Sequence, residues 1–114
     1  SIGAGFLYPL LGEMRTMLSS VQGFVAAAAI GDTAAMRAAA TASGVAAARD
    51  LDPAMQQRLP QEFLRLGMNT HAAWDSLAMD VSSGMGTEQS LGRLGGIMGN
   101  CVACHQQFRI NLEK

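Results

Sequence analysis

Cys101-Val102-Ala103-Cys104-His105 sets two thiols and an imidazole side by side near the end of the chain. On a helix, at about 100° per residue, Cys101 and His105 stand one above the other with Cys104 beside them, so two sulfurs and an imidazole converge on one object. A Cys-x-x-Cys-His run is the attachment signature of c-type haem. In that chemistry each thiol adds across a haem vinyl group, and the adjacent His, tethered to the second thioether, ligates the iron from the proximal side. Two other uses of paired cysteines fit less well. A thioredoxin-like dithiol expects a strand-helix-strand setting, and nothing in the chain reads as a strand. A structural zinc site normally takes four N or S ligands, and the chain holds two Cys and two His in total, with His71 far from the motif in sequence.

Outward from the motif, Leu91, Leu94, Met98, Cys101, His105, Phe108 and Leu112 fall on one face of a fourth helix. Thr87 is its expected N-cap, after the loop Ser82-Ser83-Gly84-Met85-Gly86. Gly92, Gly95, Gly96 and Gly99 each cost this helix about 1 kcal/mol relative to Ala, which asks for close approach of a haem or a neighbouring helix. Helix three is expected from near Pro60 to near Val81, with Phe63, Leu66, Gly67, Thr70, Trp74, Leu77, Ala78 and Val81 on one stripe and His71 at its edge. Asp50 to Leu59, interrupted by Pro53, is the longest connection and leaves room for a helical turn.

Helix two, from about Thr33 to Arg49, is rich in Ala, with high propensity and little bulk. Met36, Ala39, Ala40, Ser43 and Ala47 give it a narrow face for close packing, within the molecule or across a dimer seam. Helix one is expected from about Pro9 to Ile30. Its apolar positions Leu7, Leu10, Leu11, Met14, Met17, Leu18, Val21, Phe24, Val25 and Ala28 keep the three-four spacing of one face. Pro9 suits a first turn, and Gly31-Asp32 supplies a stop followed by an N-cap. Four helices with short to moderate connections predict one all-α domain over residues 1–114, an up-down-up-down four-helix bundle holding a cofactor between facing helices.

Composition narrows the functions. Hydrophobic residues make up 49% of the 114, yet aromatics only 5%, so a buried haem would supply the large flat apolar mass that the side chains lack. The net charge is −1 and the basic residues are dispersed, which argues against nucleic acid or an anionic membrane surface as partner. No apolar run reaches the roughly 18 residues of a membrane span. Ser1 to Leu11 is apolar without a charged leading region or a cleavage motif, and reads as mature protein.

With these residues in place, the chain resembles the class II cytochromes c, the cytochrome c-prime family and its low-spin relatives, four-helix bundles whose haem attaches near the C-terminal end. The likeness is specific from Cys101 through Phe108-Arg109. Gly31-Asp32 between the first two helices, and Gly67 with His71 as a Gly-x-x-x-His on the third, are similar features. Two others depart from the family: Tyr8 to Leu11 is uncharged where a basic residue is usual, and the glycine run before Cys101 is heavier.

The resemblance implies one covalent haem c, with Cys101 and Cys104 as thioether links and His105 as the proximal iron ligand. Met14 and Met17 lie on the inward face of helix one, where the family places its distal residue. Ligation by Met14, the first candidate, or by Met17 would give a six-coordinate, low-spin electron carrier. The competing reading is that both simply fill the core. His71 is a further candidate for a bis-His site. Arg109, one helical turn after His105, is placed to pair with a haem propionate or to sit near the proximal imidazole, or else is a solvated surface residue. The expected function is periplasmic electron transfer with a redox partner protein, since thioether formation is coupled to export. The alternative is a five-coordinate protein that binds nitric oxide or carbon monoxide. An enzyme such as a peroxidase would want a distal base and a polarising cation, and no His/Arg pair supplies them. The family's habit of pairing, with the small-residue face of helix two, predicts a homodimer.

Overall fold

The apolar three-four spacing of the first segment is realised as α1 (Ala4–Ala29) in a computed structural model that describes residues 4–48 and 52–109. The helix starts before Pro9, which lies inside it and not in its first turn. A proline there removes one backbone N–H close to the helix start, a cost the long remainder of the helix absorbs. At the other end Gly31 takes a φ of 68°, the left-handed conformation that glycine adopts without a Cβ penalty, and the Asp32 amide donates back to Ala27 O at 2.9 Å. Asp32 then caps α2 (Thr33–Ala42), its Oδ1 accepting the Ala35 amide at 3.0 Å.

α2 stops well short of Arg49, which lies outside the described residues. After Ala42 the chain passes through Ser43 and Gly44 into a 3-10 turn, Val45–Ala48. The interruption is tertiary in origin. Ser43 Oγ meets Ser20 Oγ of α1 at 2.6 Å, and Asp75 reaches from the following long helix to accept the Val45 amide at 2.9 Å. The face predicted as a possible dimer seam is spent inside the chain: Met36, Ala40 and Ser43 are buried, while Ala47 sits exposed on the 3-10 turn.

Asp52 caps α3 (Pro53–Arg58) through the Ala54 amide at 2.8 Å. α4 (Gln61–Ser82) follows Pro60, as the spacing predicts. α5 (Thr87–Gln107) is capped at Gly86, so Thr87 is its first residue and not its cap. Ser90 Oγ donates to Gly86 O at 2.8 Å. α5 ends at Gln107, and Phe108 turns extended (φ −125°, ψ 144°) with its ring edge-on to Phe63 of α4 at 5.4 Å. Arg109 therefore does not ride one helical turn above His105; it follows the helix end, exposed. Leu112 lies outside the described residues.

Every regular element among the described residues is helical, and none of these helices is long and apolar enough to cross a membrane. α1 packs on α2, α2 on α4 and α4 on α5, with α1 and α5 in lighter contact. The main core joins Phe24, Ala27 and Ala28 of α1, Met36 and Ala40 of α2, Trp74, Leu77, Ala78 and Val81 of α4, and Leu94 and Ile97 of α5. Burying side chains the size of Phe24 or Leu77 completely contributes about 2–3 kcal/mol each. Arg93 adds register between α5 and α4, donating to Asp80 at 2.7 Å and to Ser76 at 3.1 Å. A smaller cluster of Leu10, Met55 and Leu59 lays α3 across the start of α1 and α4.

The buried side of α5 differs from the predicted stripe. Ile97 is 4% exposed, whereas Leu91 and Met98 are 38% and 42% exposed. At Gly92, Gly95, Gly96 and Gly99 a Cβ would meet no atom within 4 Å, so no neighbouring helix approaches them, and none of the four lines the cavity described below. Nothing in the structure explains their concentration.

Candidate cofactor-binding site

The main core occupies the part of the molecule nearest the α1–α2 turn. Beyond it, α1, α4 and α5 enclose an apolar cavity of about 540 Å³. Leu10, Met14, Met17 and Val21, at helical spacing, furnish the α1 wall. Phe63, Gly67 and Trp74 line it from α4, and Ile97, Cys101, Cys104 and His105 from α5. The structure thus brings together Cys101, Cys104 and His105 on one wall, Met14 and Met17 on another, and on the α4 wall His71, the further sixth-ligand candidate. Arg109 does not line the cavity.

Cys101 and Cys104 are free, half-buried thiols, and the Cys101 thiol points back to Ile97 O at 3.9 Å. Burial pushes both thiols up from the ordinary range, and the proximity of Cys101 adds to the effect at Cys104. A dithiol nucleophile needs the opposite environment, with its thiolate stabilised at a helix N-terminus or by a cation. Here the pair sits in the last turns of α5, where the helix dipole disfavours negative charge. The thiols are held as protonated, apolar-facing groups. His105 is exposed on the same wall.

His71 is placed otherwise than at the edge of a stripe. It is 4% exposed, and both ring nitrogens are engaged: Nδ1–H donates to Ser43 O at 2.8 Å, and Nε2 lies 3.0 Å from Glu13 Oε1. The Glu13 hydrogen bond raises its pKa above the ordinary 6.5, supported by the Ser43 carbonyl and by the charges of Glu13 and Asp75, and opposed by burial. A ring engaged at both nitrogens offers a lone pair to a metal only by giving up one of its partners. A zinc site or a bis-His arrangement that used His71 would have to break one of these two bonds.

Glu13 has no counterpart in the sequence reading, although a signal was present: it is the sole acidic residue between Ser1 and Ile30, set in an otherwise apolar helix. A second, smaller cavity of about 300 Å³ lies behind it, lined by Gly12, Thr16, Ser43 and Ala47 together with Glu13, Met17 and His71.

Does this set of residues suit a haem? The larger cavity falls within the ~300–1,000 Å³ of small-molecule and cofactor sites. Its walls are overwhelmingly apolar side chains, with two thiols and an imidazole gathered on one of them. Trp74 on its α4 wall has a buried indole N–H with no acceptor among the described residues. A buried donor left unpaired is costly, and an acceptor atom on a group held in the cavity would relieve that cost. The donor set and the lining fit. No known protein family, curated protein or solved structure matches the chain.

Proposed function

We propose that the chain is a c-type monohaem cytochrome of the periplasm, an electron carrier rather than an enzyme, in which α1, α2, α4 and α5 act as an up-down-up-down four-helix bundle around one covalent haem c. The observation that carries the reading is the placement of Cys101, Cys104 and His105 on one wall of an apolar cavity whose α1 wall presents Met14 and Met17. When bound, the haem supplies a one-electron iron centre with a potential set by axial ligands and burial. Cys101 and Cys104 would hold it by thioether bonds, each S–H adding across a vinyl group so that sulfur joins one vinyl carbon and the proton the other. His105 would be the proximal ligand, with Met14 or Met17 as the sixth. Leu10, Val21 and Ile97 give the cofactor space apolar walls on its inner side.

A second reading shares everything except the sixth ligand. Met17 borders the smaller cavity as well as the larger, which leaves its side chain room to withdraw. If Met14 and Met17 only pack the wall, the iron is five-coordinate and its apolar distal side would admit nitric oxide or carbon monoxide.

The test is chemical. The protein isolated from the periplasmic fraction should keep its colour through denaturation and acid extraction, and the Cys101→Ala/Cys104→Ala double variant should lose it. Haem freely extracted from the wild type, or a Cys101–Cys104 disulfide recovered from cells, would reject the proposal.

A further inference from the structure

Glu13, Thr16 and Ser20 of α1 follow one another at helical spacing, and the side chains of Glu13 and Ser20 and the backbone carbonyl of Thr16 are tied to the end of α2 or to α4. Ser20 Oγ meets Ser43 Oγ at 2.6 Å, and Ser43 Oγ donates to Thr16 O at 3.4 Å. Glu13 Oε1 lies 3.0 Å from His71 Nε2, while Ser43 O accepts from His71 Nδ1–H. One edge of α1 is therefore bolted through hydrogen bonds to two other elements. The neighbouring edge, carrying Leu10, Met14, Met17 and Val21, faces the large cavity. A helix turns as a unit, so fixing one edge fixes where the other points.

Farther along the helix Phe24, Ala27 and Ala28 are packed into the main core, and at the level of Glu13 the bridge adds to that packing. Behind the pinned edge, the space among Gly12, Thr16 and Ala47 is the second cavity and not interdigitated side chains. The first cavity adjoins it, with Glu13 and Met17 lining both spaces and Met14 only the first. At this level α1 borders open space over much of its inward surface, where few side-chain contacts resist rotation.

We infer that Glu13 and His71 are positioning residues: the buried Glu13–His71–Ser43 bridge sets the rotation of α1 that presents Met14 and Met17 to the cofactor space. The inference rests on the reading of that space as a haem site.

The bridge is separated from a general charge effect by comparing Glu13→Ala with Glu13→Gln. Alanine removes the acceptor, whereas glutamine keeps an amide oxygen at the same reach while losing the charge. In the full-length chain prepared without haem and labelled at methionine methyls, Glu13→Ala should shift the Met14 and Met17 resonances and leave those of the core residues Met36 and Met55 in place. Glu13→Gln should leave all four near their wild-type positions. In the haem-loaded protein, Glu13→Ala should abolish a sulfur-to-iron charge-transfer band if the iron is six-coordinate, or change the carbon monoxide association rate several-fold if it is five-coordinate, and glutamine should restore the wild-type value. Should the alanine variant fail to fold, Glu13→Asp, one methylene shorter, should give smaller shifts confined to the same two methyls. Unmoved Met14 and Met17 methyls in both the alanine and aspartate variants, or equal shifts for alanine and glutamine, would overturn the inference. A wild-type chain that never takes up haem would sink the functional proposal alone, because the methyl spectra still judge the bridge.

Discussion

Asp75 occupies the space into which any side chain on Gly44 would project, while its Oδ2 accepts the Val45 amide at 2.9 Å. The pair explains why an alanine-rich segment with every local reason to continue as helix is interrupted after Ala42. Gly44→Ala would drive a methyl into the carboxylate and cost about 1–3 kcal/mol. Asp75→Ala would forfeit the cap at about 1 kcal/mol. The two changes relieve each other's damage, so the double variant should be clearly less destabilised than the sum of the singles. Urea unfolding of the three variants measures this, and strict additivity would show that the contact is not formed.

His71 makes stability depend on pH in a stated direction. Its folded pKa is raised above the ordinary 6.5, chiefly by the hydrogen bond to Glu13. A group raised on folding contributes fully below its unfolded value, and the contribution declines as pH climbs past that value and through the folded one. The thermal midpoint of the wild type should therefore fall, relative to His71→Gln, as pH rises from about 6.5 upward. Midpoints that run parallel across this window, or a wild type that gains on the variant as pH rises, would contradict the assignment.

Open space at glycines gives a contrast within one experiment. A Cβ at Gly95 or at Gly67 meets no atom within 4 Å, but Gly95 is on the exposed side of α5 whereas Gly67 lines the large cavity. Gly95→Ala should raise stability by about 1 kcal/mol whether or not haem is present, through helix propensity alone. Gly67→Ala should give a similar gain in the haem-free chain and lose part or all of it in the loaded protein, where the methyl competes for volume. Equal gains at both positions in both states would mean that Gly67 does not face the bound group.

What could be read from the residues was what is local. The Gly31-Asp32 turn and the convergence of Cys101, Cys104 and His105 depend on neighbours within a turn or two, and the periodicity of α1 was enough to aim Met14 and Met17 inward. What escaped depends on partners remote in sequence. Ser43 ends α2 by meeting a residue 23 positions away, and Val45 is capped from 30 positions away. Glu13 finds His71 across 58 positions. α5 stops at Gln107 without a glycine or proline to announce it, as Phe108 leaves the helix with its ring against Phe63. The periodicity therefore ran on through Arg109 and misplaced it.

The sixth coordination position separates carrier from gas binder, and one residue at a time can be asked. Met14 borders only the large cavity, whereas Met17 borders both and adjoins the Glu13–His71 bridge. If either supplies sulfur to the iron, the oxidised protein should be low-spin with a weak far-red charge-transfer band, and the reduced protein should bind carbon monoxide slowly or not at all. Leucine keeps approximate volume and removes the donor, at a cost in stability usually below about 1.5 kcal/mol. Met14→Leu should then convert the iron to high spin and open it to carbon monoxide, with Met17→Leu leaving the band in place; the reverse result would assign Met17. A wild-type ferrous protein that is already high-spin and binds carbon monoxide readily makes both methionines wall residues. In that case either leucine should change only the association rate, because each side chain acts by how far it must move to admit the gas. A low-spin spectrum that survives both replacements would reject methionine ligation altogether, and His71 could take its place only by giving up Glu13 or Ser43, so that His71→Gln would then convert the iron to high spin.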